Sequence, residues 1–211
     1  MKAEYKPYVD ALIELAIAED LGDGDHTSLC CIPATERGRM KLLCKQEGII
    51  AGIEIAQIIL ARLDPDVKVE LLLKDGDRVK VGDVAFYVEG RLQSLLQAER
   101  MLLNIMQRMS GVATTAHRYQ SLINDTNCHV LDTRKTTPGL RYLEKEAVLI
   151  GGGMNHRIGL FDMILLKDNH VDFAGGITAA LTRAKTYCEE KGKDLRIEIE
   201  TRSEDEIREA L

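Results

Sequence analysis

HVLDTRK (residues 129–135), PGLRYLEKEAVLIG (138–151), DMILLKDN (162–169) and RIEIET (196–201) follow one another in the C-terminal half of the chain, and their order decides the fold. The first, third and fourth are short, β-branched or leucine-rich runs that end in polar residues, as strands do. The second reads as a short helix with Pro138 near its start. Before RIEIET, residues Ile177, Ala180, Leu181, Ala184, Tyr187 and Cys188 recur at spacings of three, four and seven, which predicts a further helix. Strands alternating with helices imply parallel pairing, and the nearly unbroken apolar run Met163–Leu166 suits a strand covered on both faces. A (β/α) barrel and an open doubly wound sheet both satisfy this pattern.

Working outward, the N-terminal half has a different rhythm. Val9, Leu12, Ile13, Ala16 and Ile17 are spaced as one helical face, and Gly22 and Gly24 end that segment. From Met40, MKLLCKQEGIIAG reads as strand and turn, IEIAQIILARL as a helix, and VKVELLLKDGDRVKVGDVAFYVEG as short strands joined at DG and GD turns. Asp25, His26 and Thr27 read as a helix cap and turn. Leu92, Leu95, Leu96, Leu102, Leu103 and Met106 then form a helical stripe, with an interruption expected near Ser110 and Gly111. The expected organisation is an α+β domain over residues 1–110 and an α/β domain over 111–211. At the far end Ser203 and Glu206 form a capping-box pattern, so the chain is expected to stop inside a helix, about two turns after it starts.

A chain of 211 residues, 45% of them apolar, can bury a sizeable core. No apolar stretch approaches a membrane span, and the N-terminus is read as carrying neither signal peptide nor anchor. The net charge of -6 argues against general nucleic-acid binding. Five cysteines, at 30, 31, 44, 128 and 188, show no CxxC or Cys/His ligand spacing, so neither a disulfide framework nor a metal site is expected, and a reducing cytoplasm fits best.

Chemistry is expected at the strand ends: Asp132, Arg134 and Lys135 after the first, Lys167, Asp168, Asn169 and His170 after the second, and Glu198 and Glu200 on the third. Period-two alternation puts Ile197 and Ile199 on one face of RIEIET and both glutamates on the other. In GGGMNHRIGL (151–160), glycines combine with His156 and Arg157, whose donors suit carboxylate or phosphate oxygens; a tight turn is the alternative. EKEAV (144–148) reads as a solvated helix face. Lys167, ending an apolar strand, also admits a Schiff-base aldolase reading.

Six blocks in this order, EDLGDGDHTS (19–28), AGIEIA (51–56), QAERMLLNIMQRMSGVAT (97–114), LDTRKTTPGLRYLEKEAV (131–148), GGGMNHRIGLFDMILLKDNH (151–170) and IEIET (197–201), resemble the quinolinate phosphoribosyltransferases along nearly the whole chain. The DTRKTTPGLR and NHRxGLxDMxLxKDNH wording is the specific part. The resemblance implies an N-terminal α+β domain followed by the first part of an α/β barrel, incomplete in this sequence. It implies quinolinate and phosphoribosyl pyrophosphate as substrates, magnesium carried by the latter, and a homodimer with a shared active site, without nucleic-acid or membrane partners. Residue by residue, Lys135, Lys167 and Glu200 match catalytic positions, Glu200 ahead of Glu198. Arg134, His156 and Arg157 match substrate-binding positions, and Arg100 matches an arginine that serves the neighbouring subunit. The family's later acidic residue and phosphate loops would lie beyond Leu211, so this length alone is expected to be inactive. A non-catalytic dimerisation or binding remnant of the family, or a molybdenum-transport pyrophosphorylase-like protein, is the alternative.

Overall fold

The computed structural model describes residues 3–211. The chain forms two compact units, one ending at His156 and the other running from Arg157 to Leu211.

In the first unit a short 3-10 turn leads into α1 (Lys6–Leu21), which buries Val9 and Ile13 and ends at Gly22, whose φ of 53° is left-handed. Helix α2 (His26–Cys31) is capped by Asp25, which accepts from the Ser28 N–H at 3.1 Å, as the cap-and-turn reading expected. β1 (Arg37–Leu43), β2 (Gly48–Ile49), α3 (Ile53–Leu63), β3 (Lys68–Leu71), β4 (Arg78–Val79) and β5 (Val84–Arg91) follow. β5 is the centre of an antiparallel β1-β5-β3 sheet, and β2 pairs antiparallel with β4. The turns between strands close through aspartates: Asp77 accepts from the Lys74 N–H at 2.9 Å and Asp83 from the Lys80 N–H at 2.8 Å. Asp75 does the same for α3, whose own N-cap is Gly52, by accepting from the Ile53 N–H at 2.9 Å. α3 then buries Ile53, Ile55, Ile59 and Leu60. Each such side chain contributes roughly 1.5–3 kcal/mol relative to exposure.

Helix α4 (Leu92–Ser121) runs through the place where an interruption was expected. Its buried stripe, Leu95, Ala98, Leu102, Met106, Met109, Ala113 and Ala116, keeps helical spacing across Ser110 and Gly111. Ser110, where the break was expected, and Thr114 serve the neighbouring backbone. Ser110 Oγ accepts from the Ala51 N–H at 3.0 Å, and Thr114 Oγ1 from the Ile49 N–H at 2.9 Å. The residues on either side of the expected domain boundary, 110 and 111, share one continuous helix; packing, a separate criterion, divides the chain after His156.

The HVLDTRK strand is also corrected: it pairs over one residue only, in a parallel bridge between Leu131 and Met154. Its would-be partner, 151–157, is irregular apart from a turn at 151–152 and the single bridge at Met154, which leaves no ladder to extend. Helix α5 (Arg141–Ile150) lies between these segments and packs on α4.

The second unit holds β6 (Ile164–Leu166), α6 (Asp168–Ala174), α7 (Ile177–Lys191), β7 (Ile197–Ile199) and α8 (Glu204–Ala210). β6 and β7 pair in parallel, Ile164 opposite Ile197 and Leu166 opposite Ile199, as the alternating pattern required. Leu166 and Ile199 pack with Val171, Ile177 and Ala180, whereas the three β6 residues are only half-buried. Ser203 caps α8 by accepting from the Glu206 N–H at 3.2 Å. The Glu206 carboxylate turns to the Arg202 N–H, so half of the expected capping box forms. No helix among the described residues is long and apolar enough to cross a membrane.

Candidate active site

In the first unit the polar residues at 132–137 and 153–156 are tied together by α5. Lys145, fully buried, forms an ion pair with Asp132 and also donates to the His156 carbonyl at 3.1 Å. Asp132 accepts from the His156 N–H at 3.0 Å, and the Asn155 amide nitrogen, facing it, lies 2.7 Å from Oδ2 and 2.9 Å from the Lys145 carbonyl. One residue earlier Glu144, also buried, accepts from Arg108 Nε at 2.8 Å and from the Thr137 N–H at 3.1 Å. The expectation that EKEAV is a solvated face is therefore overturned. α5 has α4 on one side and the two polar segments on another, so its charged positions are enclosed and paired rather than solvated.

Sequence reasoning passed over Arg108, Glu144 and Lys145. For the last two, the signal that could have found them is their place between Leu143 and Ala147, on a helix where four of ten residues are buried. Burial raises the Glu144 carboxyl, but the hydrogen bonds from Thr137 and Arg108 outweigh it and hold the group below its ordinary value.

On this frame Arg134 is half-buried, and its Nε is buried without a hydrogen-bond partner. Lys135 is exposed, its N–H donating to Thr133 Oγ1 at 3.0 Å. His156 is half-buried and fixed through its backbone at both ends. Arg100 is exposed on α4, with no described carboxylate paired to it. The glycines of GGGMNHRIGL answer a packing demand. A Cβ on Gly151 would lie 2.3 Å from the Ala113 carbonyl oxygen, and one on Gly153 would lie 2.9 Å from a Val148 methyl.

In the second unit Arg157 is buried and its Nη1 donates to the Met163 carbonyl at 3.3 Å. The loop between them is braced by Asp162, which accepts from the Ile158 and Gly159 N–H groups at 2.7 and 2.8 Å. At the C-terminal ends of the parallel strands, Lys167 Nζ lies 3.2 Å from Glu200 Oε1, and the Glu200 N–H donates to the Leu166 carbonyl at 2.8 Å. The ladder that sets Leu166 beside Ile199 thus delivers Glu200, one residue past β7, to the strand-end lysine. A Schiff-base lysine is activated by desolvation or by a neighbouring cation. Lys167 is 47% exposed and paired with a carboxylate, the opposite environment.

The chain matches the family models for the N-terminal domain of quinolinate phosphoribosyl transferase over residues 25–110 and for its C-terminal domain over residues 112–211. It is 45% identical over 201 residues to quinolinate phosphoribosyltransferase (decarboxylating) 1b of Nicotiana tabacum, covering 95% of this chain and 57% of that protein. Against the chloroplastic nicotinate-nucleotide pyrophosphorylase (carboxylating) of Arabidopsis thaliana it is 46% identical, over 95% of this chain and 58% of the relative. The chain therefore spans little more than half the length of these relatives. The crystal structure of NadC from Streptococcus pyogenes superposes with a TM-score of 0.90 at 35% identity, over 96% of this chain and 70% of that one. With both domain models matched in order and the fold shared, the chain belongs to the quinolinate phosphoribosyltransferase family.

Proposed function

We propose that this chain carries the quinolinate-binding portion of a phosphoribosyltransferase that joins quinolinate to phosphoribosyl pyrophosphate, giving nicotinate mononucleotide, pyrophosphate and carbon dioxide. The observation that carries this reading is Arg134: a guanidinium with a buried, unpartnered Nε, on a loop fixed by the Asp132–Lys145 pair. A buried donor left without a partner is costly, and a ligand carboxylate would satisfy it with a charge-assisted hydrogen bond. Arg134 suits a ring carboxylate of quinolinate, and His156 is a further donor to the same anion; the family resemblance alone gives Arg157 to this substrate. Holding the ring nitrogen in register with the anomeric carbon is then most of the catalysis, worth roughly 7–11 kcal/mol. Glu200 would stabilise positive charge developing on the ribose. Lys135 or Lys167 would hold the carboxylate that leaves as carbon dioxide.

Among the described residues no group of three or more His, Cys, Asp or Glu side chains is placed to hold a metal ion. Magnesium would arrive on the diphosphate of phosphoribosyl pyrophosphate, where it would neutralise the leaving group. We place the enzyme in a homodimer in which Arg100 of the partner subunit completes each site. The five free cysteines suit a reducing compartment, in our reading the cytoplasm, with no nucleic-acid or membrane partner.

Calorimetric titration of quinolinate into the protein and into Arg134→Ala tests the reading. Loss of one charge-assisted contact should weaken binding by roughly 10- to 150-fold. Equal affinity in the two would overturn it.

A further inference from the structure

The last two residues of α2, Cys30 and Cys31, are both exposed, and their sulfurs lie 3.4 Å apart. Cys30 Sγ also donates to the Thr27 carbonyl at 3.4 Å. The helix beneath them is fixed at both ends. Asp25 caps its start, and just past its end the Ile32 carbonyl accepts from Gln93 Nε2 of α4 at 2.7 Å. The pair is therefore held on a short, anchored element, away from the candidate active site residues in sequence. We propose that Cys30 and Cys31 form a bidentate binding site for a trivalent thiophilic centre, of the class of monosubstituted arsenic(III) oxyacids.

The separation selects the ligand. Two bonds to sulfur of about 2.3 Å, the length of a zinc–thiolate bond, span 3.4 Å at an angle of roughly 95°. That angle suits a three-coordinate pyramidal centre carrying a lone pair. A tetrahedral zinc ion would hold its sulfurs ~3.8 Å apart and needs two further ligands. Among the described residues no group of three or more ligating side chains supplies them. An internal disulfide is opposed by covalent geometry: neighbouring Cα atoms are about 3.8 Å apart, shorter than the usual disulfide range of about 4.4–6.8 Å. The hydrogen bond with Cys30, followed by burial, raises the Cys31 thiol above its ordinary range, so Cys31 keeps its proton at neutral pH.

The reaction is a condensation without oxidation or reduction. Two As–S bonds form, two As–OH bonds break, and each hydroxide leaves with a thiol proton as water. The other cysteines, 44, 128 and 188, are not adjacent to any other cysteine in sequence and act as internal controls.

The test is titration of the full chain with phenylarsine oxide, counting reactive thiols with a chromogenic disulfide. One equivalent should protect two thiols, and it should be released by dithiothreitol but not by an equal thiol concentration of mercaptoethanol. Cys30→Ser and Cys31→Ser, both at exposed positions, should each weaken binding about 100-fold or more, because the second bond is intramolecular. Circular dichroism of each variant checks that the fold is kept. Unchanged binding in either variant, one arsenical per thiol, equally tight binding of zinc, or a Cys30–Cys31 disulfide formed readily by diamide would each overturn the proposal.

Discussion

Lys145 sits at a position with no solvent exposure, and what it touches explains why it is tolerated there. Its ammonium meets Asp132 and the His156 carbonyl, while Asp132 also accepts from the His156 N–H, so one buried pair joins two segments far apart in sequence. Removing one partner of such a pair leaves an uncompensated buried charge. Lys145→Met should therefore cost about 3–5 kcal/mol in urea unfolding, and Lys145→Met combined with Asp132→Asn less than the sum of the two. A loss within about 0.5 kcal/mol, the range of an ordinary surface change, would show that the pair does not hold the segments together. Glu144 gives a pH-dependent counterpart. Its carboxyl is held below the ordinary 4.5 by Thr137 and Arg108 against the opposing effect of burial. A lowered folded-state value contributes stability that is present above the unfolded value and is lost as pH falls through the folded one. Glu144→Gln should thus be less stable than the parent near neutral pH, and the two should converge below that window; parallel urea midpoints across the acid range would refute this. At this scale sequence reading named Arg134, Lys135, His156 and Arg157 because basic residues beside glycines and strand ends are conspicuous. It missed Lys145 because a charged run on a short helix reads as solvated unless the flanking apolar positions, Leu143 and Ala147, are weighed; the approach of residues 132 and 155–156 then encloses it.

At the scale of elements, the stretches read correctly are those whose pattern is local. IEIAQIILARL forms α3 over its whole length, and DMILLKDN and RIEIET form the parallel pair β6 and β7. The failures have a common physical origin in tertiary contacts. HVLDTRK has strand composition but meets an irregular segment instead of a strand, and Ser110-Gly111 has the look of a break although α4 continues. Two glycines on these elements have opposite consequences. A Cβ at Gly151 would collide with the Ala113 carbonyl and approach Ala116 Cβ at 2.9 Å, so α4 and α5 meet there only because no side chain intervenes. At Gly111, exposed in mid-helix, the added Cβ meets nothing within 4 Å. Gly151→Ala should destabilise by about 1–3 kcal/mol through overpacking. Gly111→Ala should stabilise by roughly 0.5–1 kcal/mol by removing backbone freedom from the unfolded helix. Thermal or urea unfolding of both variants reads the signs directly, and a common sign would contradict this account of the helix contact.

Across the whole molecule, hydrophobic burial is distributed unevenly. In the first unit α1, α3, α4, α5 and the β1-β5-β3 sheet share one continuous core from Val9 to Ala147. In the second unit the cluster around β6 and β7 has only Val171, Ile177 and Ala180 as its fully buried members, with Leu166, Ile199 and Ala210 half-covered at its border. Small units bury a smaller fraction of their surface and open more readily. Lys167 and Glu200 sit on that unit, and their ion pair is half-exposed, so solvent screens it and little stability comes from it. The candidate catalytic residues of the second unit are therefore carried by the less stable part of the chain, and those of the first by the more stable part. Native-state hydrogen exchange followed by NMR should show this as a difference between particular amides. Ile164 N–H, bonded to the Arg196 carbonyl at 2.9 Å, and Glu200 N–H, bonded to the Leu166 carbonyl at 2.8 Å, report on the β6–β7 ladder. Both should exchange at least ~100-fold faster than the amides of Met101 and Met106 in the buried stripe of α4, because exchange follows the free energy of the smallest opening that exposes each group. Equal protection in the two units would mean that they unfold as one cooperative body, and the division of stability argued from their cores would then be wrong.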